Sequence, residues 1–587
     1  MKIKSLSFQF FKFILVFSLV SCSVSNKKSL TIVESTDIHG VILPFDFIEK
    51  ENLKASMASS FNYIKELRKR NNVLLLDNGD NLQGQPEVYY YNFIDTVPPH
   101  FLSEVMNYMA YDAGTVGNHD VETGHSVYDR MVKEYNFPLL AANAVDIRTG
   151  KPYFKPYTIV KKYGLKIAVF GMVTPAIPNW LPQKLYSGIE FHDMVETAKQ
   201  WMPVMLNEKP DLIIGLFHSG WDRSEANIKS TSNLNENGSA AVAYNVPGFN
   251  IIFNGHDHKV ANEKFVNSAG DTVLILNGGS RSEKLAEADV IFSKKHNGKA
   301  HLKMSGKIVN VADFKPDSAF TIRYTPQYKI IDDYVKRVIG TSSATITSRD
   351  AYFGSSAFID MIHEIQLEIT GADISFAAPL SFDVKIDKGP ITVGDMFKLY
   401  RFENMLYTMS LSGDEVTKYL EYSYDGWLNT MKGPDDLLLK LRTGKDGKPI
   451  LTNDKAWFKN QSYNFDSAAG IDYTVDVSKP AGSRIVIKGF SNGKPFEKNK
   501  MYKVAVNSYR GNGGGGHFTE GAGIAKDELR KRLITSTDRD LRYYILKSIE
   551  TKKTINPVPL NNWKIIPENW VKAAADPEYM LLFGTKR

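Results

Sequence analysis

Residues 29–310 of the chain predict an α/β fold, and three observations carry that prediction. Short apolar runs rich in β-branched residues recur: "LTIVEST", "NVLLLDNGD", "KIAVFGMVTP", "DLIIGLFHSG", "NIIFNGHDH" and "TVLILNGG". They are apolar throughout rather than alternating, the mark of strands buried on both faces of a sheet. Amphipathic stretches such as "ASSFNYIKELRKR" separate the earlier ones. A polar cluster follows each of several runs, and in layered α/β folds the loops at strand ends converge where ligands bind.

The chain starts differently. "MKIKSLSFQFFKFILVFSLVSC" has lysines at 2, 4 and 12, an apolar run from Phe13 to Val20, and then Cys22. This predicts an export signal over residues 1–21, too short for a good membrane span. Leu19-Val20-Ser21-Cys22 resembles a bacterial lipobox, which implies cleavage before Cys22, its acylation, and a lipid-anchored protein of the bacterial cell envelope, at the periplasmic or surface face of a membrane. Cys22 is the only cysteine, so no disulfide is expected within the chain. The net charge of +7 includes the three signal lysines. What remains is scattered and too weak to predict binding to polymeric nucleic acid. With 587 residues, 43% of them hydrophobic, the chain is long enough for two or three domains with their own cores.

Around residues 311–345 the pattern changes to an extended piece followed by a helix, the expected connector. Residues 346–575 read as an α+β domain, with helices in "SSAFIDMIHEIQLEITG" and "GDEVTKYLEYSYDG" and strands in "RIVIKGF" and "MYKVAVNS". Glycine concentrates in "NSYRGNGGGGHF", residues 507–518. No internal repeat and no transmembrane helix is expected in the mature chain.

The polar clusters carry the chemistry. Asp37 and His39 lie in "TDIHG", Asp80 in "DNGDNLQG", Asn118 and His119 in "GNHD", His218 in "FHSG", and His256 and His258 in "NGHDH". Singly, such residues most often mark turns or satisfied polar positions. Together they put five of twelve histidines just past predicted strands. Asp37 with His39, and His256 with His258, have the i, i+2 spacing that points two side chains the same way on an extended chain. Mixed carboxylate and imidazole donors suit Zn, Mn, Fe or Co better than Mg or Ca. Two divalent ions against two aspartates leave a site charge of about +2, which favours an anionic substrate, phosphate esters above all. The amide oxygen of Asn118 can fill a coordination position without cancelling that charge.

In this order the motifs resemble those of the calcineurin-like metallophosphoesterases, and among them the exported 5′-nucleotidase and cyclic-nucleotide phosphodiesterase branch. The resemblance implies a four-layer α/β sandwich followed by an α+β 5′-nucleotidase-type substrate domain. It implies two divalent transition metal ions, one on Asp37, His39 and His258, the other on Asn118, His218 and His256, with Asp80 bridging. His119 would face the scissile phosphate, held by an acidic neighbour. Glu122 stands at the expected offset and Asp120 directly adjacent, and sequence leaves the two open.

Two segments bear on the substrate. Where 5′-nucleotidases resemble Asn-Ser-Gly-Gly-Ile-Arg, this chain has "ISFAAPLSF", residues 374–382, without arginine. Where they end in Gly-Gly-Asp-Gly, it has Gly515 at the aspartate's position. Both departures resemble the 2′,3′-cyclic-nucleotide 2′-phosphodiesterase/3′-nucleotidase branch. Phe402 and Tyr509 match the two aromatics between which the family stacks the base, a sequence-tolerant contact. The expected activity is hydrolysis of 2′,3′-cyclic nucleotides and then 3′-nucleotides. A 5′-nucleotidase or nucleotide-sugar hydrolase is the alternative enzyme, and a non-catalytic nucleotide-binding lipoprotein the alternative from another class.

Overall fold

The computed structural model describes residues 28–230, 232, 234–294 and 300–587. The export signal and Cys22 lie outside the described residues. Twelve strands of the N-terminal half build two six-stranded sheets. In chain order they are β1 (Lys28–Ser35), β2 (Val73–Asp77), β3 (Ala113–Thr115), β4 (Leu139–Leu140), β5 (Tyr157–Lys162), β6 (Leu165–Val173), β7 (Leu212–His218), β8 (Ile251–Asn254), β9 (Ala261–Val266), β10 (Thr272–Asn277), β11 (Lys284–Lys294) and β12 (Ala300–Asn310). The first sheet runs β12-β11-β1-β2-β3-β4 and the second β9-β10-β8-β7-β6-β5. In each, four strands pair in parallel, and antiparallel strands close the edge, β11 and β12 in the first sheet, β5 and β9 in the second.

Side-chain alternation along these strands makes four layers. Ile32, Leu74 and Leu76 of the first sheet meet Ile167, Val169, Ile214, Leu216 and Phe253 of the second in one buried cluster. Their neighbours Val33, Val73 and Leu75 face the other way, against Ala58, Phe61, Ile64 and Leu67 of the helix Met57–Arg68. On the far side, Ala168, Phe170, Ile213 and Ile252 pack against Met194, Ala198, Met202 and Met205 of the helix Met194–Asn207. The expected helix–sheet–sheet–helix sandwich is therefore present, and strands apolar on both faces are its cause.

Parallel pairing aligns the strand ends that matter. Ser35 lies opposite Asp77 and Asp77 opposite Gly114 in one sheet; Val173 lies opposite His218 in the other. Each loop carrying a polar cluster thus leaves its sheet at the same edge.

The connector differs from expectation. It contains two helices, Ser318–Arg323 and Thr325–Lys336, where an extended piece and one helix were expected. Asp317 caps the first through the Phe320 amide, and Pro326 sits in the first turn of the second, where a missing N–H costs nothing. Phe320, Ile331 and Val335 of these helices, and Tyr324 between them, join Phe61 and Ile64 of the first domain, and Phe358, Ile362, Phe397 and Ile545 of the second, in one continuous apolar cluster.

The second domain is α+β. Its five-stranded sheet comprises β13 (Ile374–Ala377), β14 (Met405–Ser412), β15 (Ser467–Ala469), β16 (Met501–Asn507) and β17 (Leu533–Asp540), ordered β15-β13-β16-β14-β17. The helices Ala357–Thr370 and Gly413–Trp427 and the strand Ile485–Phe490 fall where their sequences predicted. Among the described residues no helix is long and apolar enough to cross a membrane.

Candidate active site

The metal-binding candidates come from five loops at one sandwich edge. Backbone hydrogen bonds zip the first two together: the Asp37 amide donates to Gly79 O at 2.9 Å and the His39 amide to Asp80 O at 3.0 Å. Asp37, His39, Asp80, His256 and His258 all adopt left-handed backbone, with φ of 50°, 50°, 57°, 74° and 57°. Each such residue costs on the order of 1–2 kcal/mol. The two i, i+2 pairs therefore converge through tight turns, not through the strand alternation their spacing suggested.

His119 and Asn118 open a five-residue helix, Asn118–Glu122, just past β3. Gly117 before it must be glycine: a Cβ there would lie 2.1 Å from Asp80 Oδ1 and 2.3 Å from Asp80 N. This close approach lets the His119 amide donate to Asp80 Oδ1 at 2.7 Å. The structure also separates the two acids that sequence left open. Glu122 Oε2 lies 2.5 Å from His119 Nδ1, the i, i+3 relation on one helix face. Asp120, counted among the catalytic candidates, does not bond the His119 ring. Its carboxylate accepts the amides of Asp80, Asn81, Leu82 and Gly117 and ties the Asp80 loop to the helix.

Two compact groups emerge, Asp37 with His39 and His258, and Asp80 with His218 and His256, the donor atoms in each lying within 4.8 Å of one another. Hydrogen bonding tests whether they suit cations. His39 Nδ1 faces Gln83 O at 3.1 Å and His218 Nδ1 faces Asn78 O at 2.6 Å; a carbonyl only accepts, so both Nδ1 atoms carry the proton. Their Nε2 atoms, the ones left for a metal, then point at other donor atoms, His39 at His258 Nε2 (3.1 Å), and His218 at Asp80 Oδ2 (3.1 Å) and Asn118 Oδ1 (3.2 Å). His256 directs Nε2 to Glu236 at 3.0 Å and Nδ1 to Asn118 Oδ1 at 2.8 Å. Lone pairs converging with their outer nitrogens anchored is the arrangement of a metal site, and the residues fit two ions. Counting only the protein's own charges, burial opposes a proton on His218, but Asp80 and Asp37 outweigh it and raise the imidazole to about 10. The same anionic field attracts a divalent cation.

Beside this edge lies a cavity of about 320 Å³ between the domains. The first domain contributes Asn118, His119, Glu122, Trp180 and His256, the second Phe402, Tyr463 and Tyr509. Burial opposes charge on His119, yet Asp80 and Glu122 raise its imidazole to about 9. Phe402 and Tyr463 meet edge to face at 6.3 Å. Arg510 holds this wall from behind: 1% exposed, it bonds Asp466 at 3.0 Å, Tyr463 O at 2.7 Å and Gly514 O at 3.0 Å. At Gly515, φ +71°, a Cβ would come 2.2 Å from Arg510 Nη1. An aspartate cannot occupy that position with Arg510 where it stands.

Sequence reasoning missed Tyr463, Trp180 and Glu236. Trp180 follows β6 in "TPAIPNW", a strand end that the same logic covers but at which no residue was singled out. Tyr463 sits in an irregular stretch with no periodic signal.

Comparison with known proteins agrees with this geometry. The sequence profile described as "Calcineurin-like phosphoesterase" matches residues 30–260, and that described as "5'-nucleotidase, C-terminal domain" matches residues 338–520. This chain belongs to the calcineurin-like metallophosphoesterases of the 5′-nucleotidase family. The metallophosphoesterase is 26% identical to a 2′,3′-cyclic-nucleotide 2′-phosphodiesterase/3′-nucleotidase of Yersinia enterocolitica, over 94% of this chain and 91% of that one. It is 27% identical to a trifunctional nucleotide phosphoesterase of Bacillus subtilis over 93% of its own length, but spans only 39% of that relative. Its fold matches a putative 5′-nucleotidase of Staphylococcus aureus with a TM-score of 0.72 at 20% identity, covering 92% of this chain and all of that one. The metallophosphoesterase is a hydrolase of the divalent-metal class.

Proposed function

We propose that this metallophosphoesterase hydrolyses 2′,3′-cyclic nucleotides to 3′-nucleotides, and then 3′-nucleotides to nucleosides and phosphate. The observation that carries the reading is a single cavity that joins the metal-ligand candidates Asn118 and His256 to the aromatic rings of Phe402, Tyr463 and Tyr509; Gly515, where the resemblance puts a ribose-binding aspartate in 5′-nucleotidases, lies in the adjoining hollow. A ribose whose 2′ and 3′ oxygens react at the metal end cannot also offer them to a distant carboxylate. The Yersinia relative's name supports the same substrate class.

Asp37, His39 and His258 would hold one ion, Asn118, His218 and His256 the other, with Asp80 between them. When bound, the ions supply Lewis-acid polarisation of the phosphoryl group and activation of water. Asn118 contributes its carbonyl oxygen and no charge. The P–O2′ bond breaks as water adds to phosphorus, and the leaving 2′ oxygen needs a proton. His119 can give it from Nε2, because Nδ1 is held by Glu122. Tyr509 and Phe402 stack the base, with Tyr463 edge-on to Phe402, so all four common bases should be accepted with modest differences.

The test is a panel of matched 2′,3′-cyclic, 3′- and 5′-nucleotides with added Mn or Zn. The cyclic ester should react fastest, and a lead for the 5′-nucleotide would overturn the reading in favour of a 5′-nucleotidase. Tyr509→Ala should cost about 1–3 kcal/mol, roughly 5- to 150-fold in kcat/KM, on nucleotides. It should largely spare bis(p-nitrophenyl) phosphate, which has no nucleobase. Equal losses on both would assign Tyr509 to the fold instead.

The enzyme is further proposed to be exported and tethered through Cys22 in the cell envelope, on the strength of "LVSC" after an apolar run. Wild-type protein should fractionate with membranes and carry acyl chains, while Cys22→Ala should remain uncut or soluble. Recovery of unacylated wild type in the soluble fraction would remove the anchor.

A further inference from the structure

The anchored histidines of the metal edge are not alike. His39 and His218 rest Nδ1 on backbone carbonyls and turn Nε2 inward. His256 is reversed: Nδ1 faces Asn118 Oδ1 at 2.8 Å, and Nε2 reaches out to Glu236 Oε1 at 3.0 Å. A carboxylate only accepts, so Nε2 carries the proton and Nδ1 keeps the lone pair that a metal needs. Glu236 therefore decides which nitrogen of His256 is offered. The Trp180 ring also packs on this imidazole, 5.5 Å away and tilted by 30°, but a ring contact does not choose between the two nitrogens.

The backbone of Glu236 is tied to the same strand end as His218. Its carbonyl accepts the Ser219 hydroxyl at 2.7 Å, the Gly238 amide donates to that Ser219 oxygen at 2.8 Å, and the Ser239 hydroxyl donates to Ser219 O at 2.7 Å. Ser219 directly follows His218, the last residue of β7. One strand end thus supplies a ligand candidate and holds the segment whose acid orients another. Gly220 lets this loop close, since a Cβ there would lie 2.0 Å from Asn237 Oδ1. The Glu236 side chain itself stays half-exposed and lines the cavity beside His256.

We infer that Glu236 is a positioning residue of the metal centre: it presents His256 through Nδ1 to the ion assigned to Asn118, His218 and His256, and sets how tightly that ion is held. This rests on the ligand assignment of the proposed function and adds a residue outside it. A carboxylate that holds a ligand imidazole by its other N–H fixes the ring and raises its basicity, and losing it usually costs about 10- to 100-fold in metal affinity. The ion on Asp37, His39 and His258 should be spared, because the bond from Glu236 goes to His256.

The experiment titrates the metal-stripped full chain with Mn by isothermal calorimetry and compares wild type with Glu236→Ala, Glu236→Asp and Glu236→Gln. Wild type should bind two ions. Glu236→Ala should hold one of them about 10- to 100-fold more weakly and the other unchanged, the second ion serving as the control that the fold persists. Glu236→Gln keeps an accepting oxygen at the same reach and should recover most of the loss. Glu236→Asp, one methylene short, should resemble Glu236→Ala. Turnover of bis(p-nitrophenyl) phosphate by Glu236→Ala should return toward the wild-type rate at saturating Mn. Unchanged affinity in Glu236→Ala, or equal weakening of both ions, would overturn the inference. So would Glu236→Asp outperforming Glu236→Gln, which would make charge rather than the hydrogen bond the cause. A deficit that saturating metal leaves in place, with both affinities intact, would assign Glu236 to the substrate instead. A wild type that binds fewer than two ions would refute the ligand assignment itself, whereas two ions in wild type with Glu236→Ala unchanged would refute this inference alone.

Discussion

Asp80→Asn is expected to abolish hydrolysis of every phosphoester and to deplete bound metal. Asp80 is 1% exposed, belongs to the candidate ligand group with His218 and His256, and is proposed to bridge to the other group. One oxygen accepts the His119 amide and the other faces His218 Nε2 at 3.1 Å. Asparagine keeps the volume and the oxygen that accepts the amide, so the loop should survive. It removes the negative charge that holds cations between buried imidazoles, and turning its NH2 toward His218 replaces a donor to metal with a hydrogen-bond donor. Metal content measured by atomic emission, alongside turnover of bis(p-nitrophenyl) phosphate, decides the matter. A fully metallated and fully active variant would refute the assignment.

His119→Ala should lower turnover about 10²- to 10⁴-fold, the usual worth of general acid or electrostatic help, and leave metal content unchanged. Its ring is fixed by Glu122 rather than by the other histidines, which distinguishes it from the ligand candidates. The deficit should be larger on alkyl leaving groups, which need a proton, than on p-nitrophenolate, which does not. The sign of the pH effect follows from the charges around it. Asp80 and Glu122 overcome burial and keep the imidazolium up to about pH 9, and bound divalent ions would lower that value. Wild-type activity on nucleotides should therefore fall on the alkaline side at or below about pH 9, and this limb should vanish in the variant. Loss of one metal ion from His119→Ala would make His119 a ligand.

The layered fold was legible because its strands announce themselves: "VLLLD" and "LIIGLFH" carry no polar residue before their last position, the pattern of a strand covered on both faces. The metal-ligand candidates drew notice for a related reason, since polar residues end several such runs and the structure brings them into two compact groups. What the chain's pattern could not show was conformation. Nothing in "TDIHG" or "GHDH" announces left-handed aspartate and histidine, because those backbone states are imposed by neighbouring loops and their amide bonds, not by local preference. The choice between Asp120 and Glu122 was hidden in the same way. It depends on a five-residue helix whose direction is set by Gly117 closing on Asp80. The connector failed for lack of length, its first helix being six residues with a single buried apolar anchor, Phe320.

The apolar cluster running from Phe61 through Ile331 to Phe358 and Ile545 makes the two domains share a spine rather than hang from a tether. Away from that cluster the domains meet through polar contacts, among them the Asn512 amide donating to the Trp180 carbonyl. Drawing the halves straight apart would wet that spine, whereas a turn about its length keeps it dry and still widens the mouth. Such a spine is a binding along one edge: on the proposed reading the two domains would turn about it like the covers of a book, phosphate held against one and base against the other.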